Sequence, residues 1–267
     1  MCSWVVRERA LYECMRMLIC KRIAFDTHTQ LAGVSIPQGT VLSFFRDVDY
    51  LNNNDVTKKA EEEVIKWLLA SPARNLFLSE LEAGLSPFID YSVKQPVIEN
   101  PQNKPGDIDM LICPGNRPDI AIALQCKPVV VKALNEEDDD DPRKLPKLMD
   151  LVIQANEQRN KLGFYRNYLV VLILVDGRKK ITHNTLFRGT NPETFQKIYK
   201  FPDKEKVHKD VGIIFIEIAH PAGKHYDQQA VVDICFDREA VRLNQIPRLT
   251  NRIEDLMRQK GIVEGCT

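Results

Sequence analysis

Two aspartates, a glutamine and a lysine lie at corresponding ends of two short apolar runs. Asp107 and Asp109 open the first run, and Gln125 and Lys127 close the second. If the two runs are neighbouring strands, the four side chains form a convergent polar cluster. Carboxylates placed this close repel each other, and a bound cation relieves that repulsion. The residue types and their spacing therefore favour a cation site.

The two runs have the pattern of paired strands. They cover residues 106–113 and 119–127, and a turn rich in Pro, Gly and Asn, Pro114 to Pro118, joins them. Side chains alternate between the two faces of a strand. Asp107 and Asp109 are therefore predicted to share one face of the first strand.

The same alternation divides the second run into an apolar face and a face of small and polar residues. The apolar face holds Ile120, Ile122, Leu124 and Cys126, and the other holds Ala121, Ala123, Gln125 and Lys127. Two amphipathic strands with a solvated edge would also give this pattern. However, alanine is a poor strand former and a poor surface residue, so another element is expected to pack over Ala121 and Ala123. Cys126 is expected to pack in the core and not to act as a nucleophile.

An acid that begins a strand, a turn, and an apolar strand that ends in acid-x-Lys resemble the core of the PD-(D/E)xK nuclease superfamily. Here the acid is Asp109 and the second strand ends in Gln125-Cys126-Lys127. Glutamine in place of the second acid resembles the Mrr-like restriction endonuclease branch. With its flanking helices the resemblance spans roughly residues 58 to 218.

The resemblance implies an α/β fold, a restriction endonuclease-like core whose central mixed β-sheet is flanked by helices. Terminal additions complete the expected organisation. Residues 1–55 form an N-terminal segment that could mediate homodimerisation, specificity or neither, residues 56–236 form the core, and residues 237–267 form a C-terminal helical extension.

The resemblance also implies a divalent-metal-dependent nuclease that hydrolyses phosphodiester bonds, with DNA favoured over RNA. Asp109 and Gln125 would bind Mg²⁺ or Mn²⁺, with Asp107 as a further carboxylate, and Lys127 would orient and help deprotonate the attacking water. Gln125 carries no charge, so metal should bind more weakly than at two acids. Two alternatives remain: a catalytically inactive nuclease-fold module that binds nucleic acid or a protein partner, and a phosphodiester enzyme for small nucleotides.

Further candidate residues lie on the predicted helices around these strands. Members of the superfamily often add an acid from a helix before the first strand, and Glu61 in the helix 58–70 and Glu80 in the helix 75–83 are the candidates. Glu61 could equally reach solvent from a first helical turn. Superfamily members also place a glutamine on a later helix, which makes Gln154 or Gln158 a candidate in the helix 145–162, although both could instead be ordinary helix formers.

Charge distribution supplies candidate phosphate contacts. The net charge is zero, but residues 143–209 hold 15 Lys and Arg against 6 Asp and Glu. A basic half of this kind is compatible with phosphate binding or with a solvated surface. Arg159, Arg178, Lys179 and Lys180 are the candidates, and Arg159 could instead lie along the helix surface.

Periodicity predicts the remaining elements. Helices are expected over residues 4–23, 192–200 and 248–260, strands near 39–45 and over 91–98, 167–175, 211–218 and 231–236, and a mobile loop over the six acids of 136–141.

Composition favours a cytoplasmic protein. With 267 residues, 44% hydrophobic and 28% charged, the chain resembles an ordinary soluble protein with a substantial core. Its longest apolar run, 168–175, is too short for a membrane span, and the first nine residues lack the pattern of a signal peptide. Seven cysteines without a Cys-x-x-Cys pair favour reduced thiols.

Overall fold

The secondary structure combines one large sheet with helices on both of its faces. The computed structural model describes residues 21–24, 30–31, 34–35, 40–46, 61–69, 73–84, 86–93, 108–133, 140–143, 147–176, 198, 204–220 and 230–262. The strands are β1 (Lys21–Ala24), β2 (Gln30–Leu31), β3 (Val34–Ser35), β4 (Thr40–Arg46), β5 (Phe88–Val93), β6 (Ile108–Cys113), β7 (Ile122–Ala133), β8 (Asp140–Arg143), β9 (Arg166–Asp176), β10 (Gly212–His220) and β11 (Ala230–Arg238). The helices are α1 (Glu61–Leu69), α2 (Ala73–Glu80), α3 (Lys147–Glu157) and α4 (Pro247–Gln259).

The main sheet has the order β1-β4-β11-β10-β9-β7-β6-β5, and β8 pairs with β7. Its centre is parallel, because β9 pairs in parallel with both β7 and β10. The flanking pairs are antiparallel, including β5 with β6 and β6 with β7. The predicted α/β class and mixed sheet are therefore confirmed. In the part of the chain that the structure describes, no helix is both long enough and apolar enough to cross a membrane.

The sheet separates two apolar layers, and β7 contributes to both. Ile122, Leu124 and Cys126 pack with residues of α1 and α2 on one face. Ala121 and Ala123 pack on the other face against Leu249, Ile253 and Met257 of α4. The predicted alternation is confirmed from Ala121 to Cys126, but Ile120, expected on the apolar face, lies in a 3₁₀ turn before the strand. The element expected above the two alanines is the C-terminal helix. Cys126 is a buried core residue, as expected.

Strand β9 lies at the centre because its sequence suits burial on both faces. It is apolar from Tyr168 to Leu174 without interruption, and every one of these side chains is buried. Continuous runs of this kind are typical of parallel strands covered by helices on both sides. Helix α3 covers one side of it with Leu148, Leu151, Val152 and Ala155.

Three predictions about local structure are corrected. Residues 4–20 of the predicted helix 4–23 lie outside the described residues, but Lys21–Ala24 is a strand that pairs with β4. The end of the acidic stretch is not a loop, since Asp140–Arg143 pairs with the far end of β7. The strand predicted from residue 91 begins at Phe88. In each case pairing with a distant strand decides the outcome. Of the predicted helix 192–200, only Ile198 is described.

Gln245 ties the C-terminal segment to the start of the two central strands. Its Oε1 accepts the backbone N–H groups of Ala121 at 3.1 Å and Tyr165 at 3.3 Å. Its Nε2 donates to the carbonyl of Pro118 at 2.5 Å and to the hydroxyl of Thr250 at 2.9 Å. One amide thus satisfies four polar groups and fixes where α4 begins on the sheet.

Replacing Gln245 with Ala should lower the free energy of unfolding by about 2 to 4 kcal/mol, because backbone groups at the start of the two central strands lose their partners. Chemical denaturation measures this directly. Asn244→Ala is the matched control: Asn244 is exposed, so its removal should change stability by less than about 0.5 kcal/mol. Equal losses in the two variants would contradict this role for Gln245.

Candidate functional site

Asp109 sits where β6 and β7 separate. The last paired residues of the two strands are Met110 and Leu124. One residue further along β6, the Oδ2 atom of Asp109 accepts the backbone N–H of Cys126 at 2.7 Å. The carboxylate therefore accepts a backbone N–H of β7 beyond the last residue pair of the two strands, and it lies against the Gln125-Cys126-Lys127 segment. The structure thus brings together the two parts of the motif.

Three glutamines converge on the same segment. Gln125 donates from Nε2 to Gln154 Oε1 at 3.4 Å, and Gln158 donates from Nε2 to Gln125 Oε1 at 2.5 Å. Gln125 and Gln158 are 4% and 2% exposed. Both helix glutamines predicted from the resemblance thus contact the strand glutamine, and they hold its amide in one orientation.

A change of helical pitch sets the position of Gln158. Helix α3 continues into a π-helical turn over Gln158–Leu162, and such turns are frequent at functional sites. The turn ends at Gly163, whose φ of 62° is left-handed and whose N–H bonds to the carbonyl of Gln158. A Cβ at Gly163 would also meet Ile246 Cδ1 at 2.8 Å, so glycine is required here.

Lys127 lies two residues beyond Gln125 on β7, and strand alternation gives it the same face. Its side chain is half-buried. Val129, the next residue on that face, packs under α3. Lys127 therefore lies between the glutamine cluster and the apolar layer below α3, on the face that also carries Asp109.

The donor set suits a hard cation better than a soft one. Asp109 supplies a carboxylate and Gln125 an amide oxygen, and Mg²⁺ or Mn²⁺ takes oxygen ligands and keeps several waters. Within the described ranges no group of three or more His, Cys, Asp and Glu residues is placed to hold a metal. Asp109 and Gln125 together offer only two oxygen donors, and the amide of Gln125 carries no charge. Such a pair suits an ion that is weakly bound and keeps most of its water ligands.

Asn167 is a polar residue on this face that the sequence did not single out. It is 1% exposed, lies beside Ala123 in the β7–β9 register, and neither polar atom of its amide has a hydrogen-bond partner among the residues that the structure describes. The Oε1 atom of Gln158 is also buried and has no hydrogen-bond partner within the described ranges. In the sequence, Asn167 stands out only as a polar residue at the start of an apolar run. Polar residues are common where strands begin, so this position did not indicate a site.

The structure places the other candidates differently. Helix α2, which carries Glu80, packs on the face of Cys126, opposite to Gln125 and Lys127, so Glu80 is not brought into this cluster. Helix α1 lies on that opposite face too. The side chain of Glu61 lies outside the described residues, as do Asp107 and the basic candidates Arg178, Lys179 and Lys180.

Arg159 makes an ion pair within the fold. Its Nε donates to Asp210 Oδ2 at 3.0 Å, its Nη2 bonds to the same oxygen, and its Nη1 donates to Asn160 at 3.1 Å. These hydrogen bonds hold the pKa of the Asp210 carboxyl below its ordinary value of 3.8. Arg159 therefore anchors the end of α3 to the segment before β10. This ion pair within the fold is a role that neither sequence-based interpretation, a phosphate contact or a side chain along the helix surface, included.

No protein-family model, no curated protein and no solved structure matches this chain. Its function is therefore inferred from its own residues and their geometry.

Asp210→Asn should remove a pH-dependent part of the stability. Because the folded pKa of Asp210 is lowered, its contribution is complete above 3.8 and is lost as the pH falls through the lower, folded value. The difference in unfolding free energy between wild type and Asp210→Asn should thus be constant near neutrality and shrink in acid. Asp255→Asn, at an exposed pair with Arg258, is the control and should change stability little. If the difference in unfolding free energy between wild type and Asp210→Asn instead grew as the pH fell, the stabilising role of the Asp210 carboxylate would be contradicted.

Proposed function

We propose that this chain is a divalent-metal-dependent nuclease that hydrolyses phosphodiester bonds, with DNA as the expected substrate. The observation that carries the proposal is the hydrogen bond between the Asp109 carboxylate and the Cys126 backbone N–H. It sets the carboxylate beside Gln125 and Lys127, the residues that match the motif in the form in which glutamine replaces the second acid. The helix-flanked mixed sheet supports a restriction endonuclease-like core around them.

Asp109 and Gln125 would hold the ion, either Mg²⁺ or Mn²⁺, with Asp107 as an additional carboxylate. When bound, the ion would polarise the phosphate and stabilise the charge that grows on it. Gln125 Oε1 already accepts a hydrogen bond from Gln158, and a carbonyl oxygen has a second lone pair for a ligand. Gln154 and Gln158 are thus positioning residues that keep this oxygen oriented.

Lys127 would position the attacking water and accept its proton. Its side chain is half-buried and lies on the same face of β7 as Gln125. Its place on the same face as Asp109 lets the water lie between the amine and the phosphate. In this proposal Asp109 and Gln125 hold the ion that contacts the phosphate, and Lys127 orients the attacking water and accepts its proton.

Lys127→Ala and Asp109→Ala should each abolish metal-dependent cleavage. Loss of a general base removes about 10² to 10⁴ in rate, and loss of a metal ligand removes the site's affinity for the ion. Cleavage of duplex DNA with Mg²⁺ or Mn²⁺ measures both, and Glu80→Ala on the opposite face is the matched control that should keep activity. Undiminished cleavage in both site variants would dismiss the proposal.

Calorimetry with Mn²⁺ separates an active site from an inactive module of the same fold. Wild type should take up the ion, Asp109→Ala should not, and Gln125→Glu should bind it at least about tenfold more tightly because a carboxylate adds charge next to the ion. Metal uptake that is unchanged across all three proteins would favour the inactive binding module.

A further inference from the structure

Asn167 lies on the face of the sheet that carries the candidate site. It is the residue of β9 beside Ala123, and Leu169, the next residue of β9 on that face, packs below α3. Gln125 is two residues beyond Ala123 on β7. Since neighbouring strands are about 4.8 Å apart and two residues span about 6.6 Å, the Cα atoms of Asn167 and Gln125 are about 8 Å apart. The asparagine is therefore a near neighbour of the proposed metal ligand.

Helix α3 and its π-helical turn place Gln158 above the same point. Ala155 lies in the apolar cluster of Leu169, and Leu162 lies in the cluster of Ala123. Gln158 comes three residues after Ala155 and four before Leu162, so it shares their side of the helix. It therefore faces the sheet between Leu169 and Ala123, which is where the asparagine lies.

The glutamine amides form a chain in which every bond has the same direction. Gln158 donates from Nε2 to Oε1 of Gln125, and Gln125 donates from Nε2 to Oε1 of Gln154. In the part of the chain that the structure describes, Oε1 of Gln158 is an acceptor without a donor and Nδ2 of Asn167 is a donor without an acceptor. The two unpartnered atoms are complementary and lie at the inner end of this chain.

Burial shows what can satisfy these two atoms. Asn167 and Gln158 are 1% and 2% exposed, so bulk solvent does not reach their amides. A buried amide atom without a partner is costly, and proteins satisfy such atoms with ordered water where no side chain reaches them. One water can accept from Nδ2 of Asn167 and donate to Oε1 of Gln158, which satisfies both.

We propose that one buried water links Asn167 to Gln158, and that Asn167 thereby anchors the amide chain that orients Oε1 of Gln125. Asn167 is then a positioning residue that acts on the metal ligand through Gln158. The metal part of this inference rests on the proposed function, because that function makes Gln125 a ligand. The water-linked chain of amides does not depend on it.

The link matters because hydrogen bonds in series polarise one another. A Gln158 amide that accepts at Oε1 donates more strongly from Nε2, and both of its atoms are then fixed. Gln125 is held in turn, with the second lone pair of its Oε1 left for the ion. Without Asn167 the Gln158 amide can rotate, and the ion loses a ligand that is already oriented.

Hydrogen exchange of the Gln158 side-chain amide, followed by NMR on the full chain, tests the link without any metal. The exchange should be slow in wild type because both atoms of the amide are buried and bonded. Asn167→Leu has a similar size but no donor, and it should speed the exchange by at least about tenfold. Asn167→Ser keeps a hydroxyl donor and should retain most of the protection.

Calorimetry with Mn²⁺ on the same proteins tests the effect on the metal ligand. Asn167→Leu should bind the ion about three- to tenfold more weakly, and Asn167→Ser should lose less, because partners that orient a ligand contribute to metal affinity. Ile173→Val is the matched control, since Ile173 is buried on the same face of β9 among apolar residues. It should lose some stability and bind Mn²⁺ like wild type.

Unchanged exchange at Gln158 in Asn167→Leu, or a loss of metal affinity that Ile173→Val shares, would overturn the inference. Thermal denaturation checks that each variant is folded. If the leucine variant does not fold, a high-resolution crystal structure of wild type decides: an ordered water within about 3.2 Å of both atoms supports the link, and its absence there refutes it. Faster exchange in Asn167→Leu with no Mn²⁺ uptake by wild type would uphold the amide chain and refute the proposed metal site alone.

Discussion

The arrangement of the site depends on one hydrogen bond at the point where two strands part. A buried backbone N–H requires a partner, and beyond the Met110–Leu124 pair β6 no longer provides one to β7. The carboxylate of Asp109 takes that place by accepting the Cys126 N–H. The need of a buried backbone N–H for a hydrogen-bond acceptor, which also pairs the strands of a sheet, therefore fixes an acidic side chain beside Gln125 and Lys127.

Helices α3 and α4, which cover the face of the sheet that carries Asp109 and Gln125, then enclose the place where β6 and β7 separate. Helix α3 supplies Gln154, the π-helical turn that follows it supplies Gln158, and α4 covers Ala121 and Ala123 beside them. The small alanine side chains let the helix approach the sheet, and Gln245 fixes where the helix starts. The position of α4 thus links the packing of the C-terminal segment to the shape of the site.

Much of this arrangement could be predicted from the sequence because it follows from local periodicity. Alternation along β7 correctly assigned Cys126 to one layer and Ala121 and Ala123 to the other, and the apolar run of β9 gave its central position. The outer elements were less predictable: Lys21–Ala24 has helical spacing with the residues before it, but pairing with β4 makes it a strand.

Contacts between distant residues could not be predicted. Gln245 lies 124 residues from Ala121, and Arg159 lies 51 residues from Asp210, so no local pattern connects them. The bond from Cys126 to Asp109 depends on where two strands separate, which neither strand specifies alone. The candidate site residues were found because their types are unusual at strand ends, whereas Asn167 at a strand start is ordinary.

The central claim is that Asp109 and Gln125 hold one divalent cation beside Lys127. Anomalous diffraction from a crystal soaked in Mn²⁺ tests it most directly. The account predicts a single strong peak about 2.0 to 2.3 Å from a carboxylate oxygen of Asp109 and from Oε1 of Gln125. A peak elsewhere on the chain, or none at saturating Mn²⁺, would contradict it.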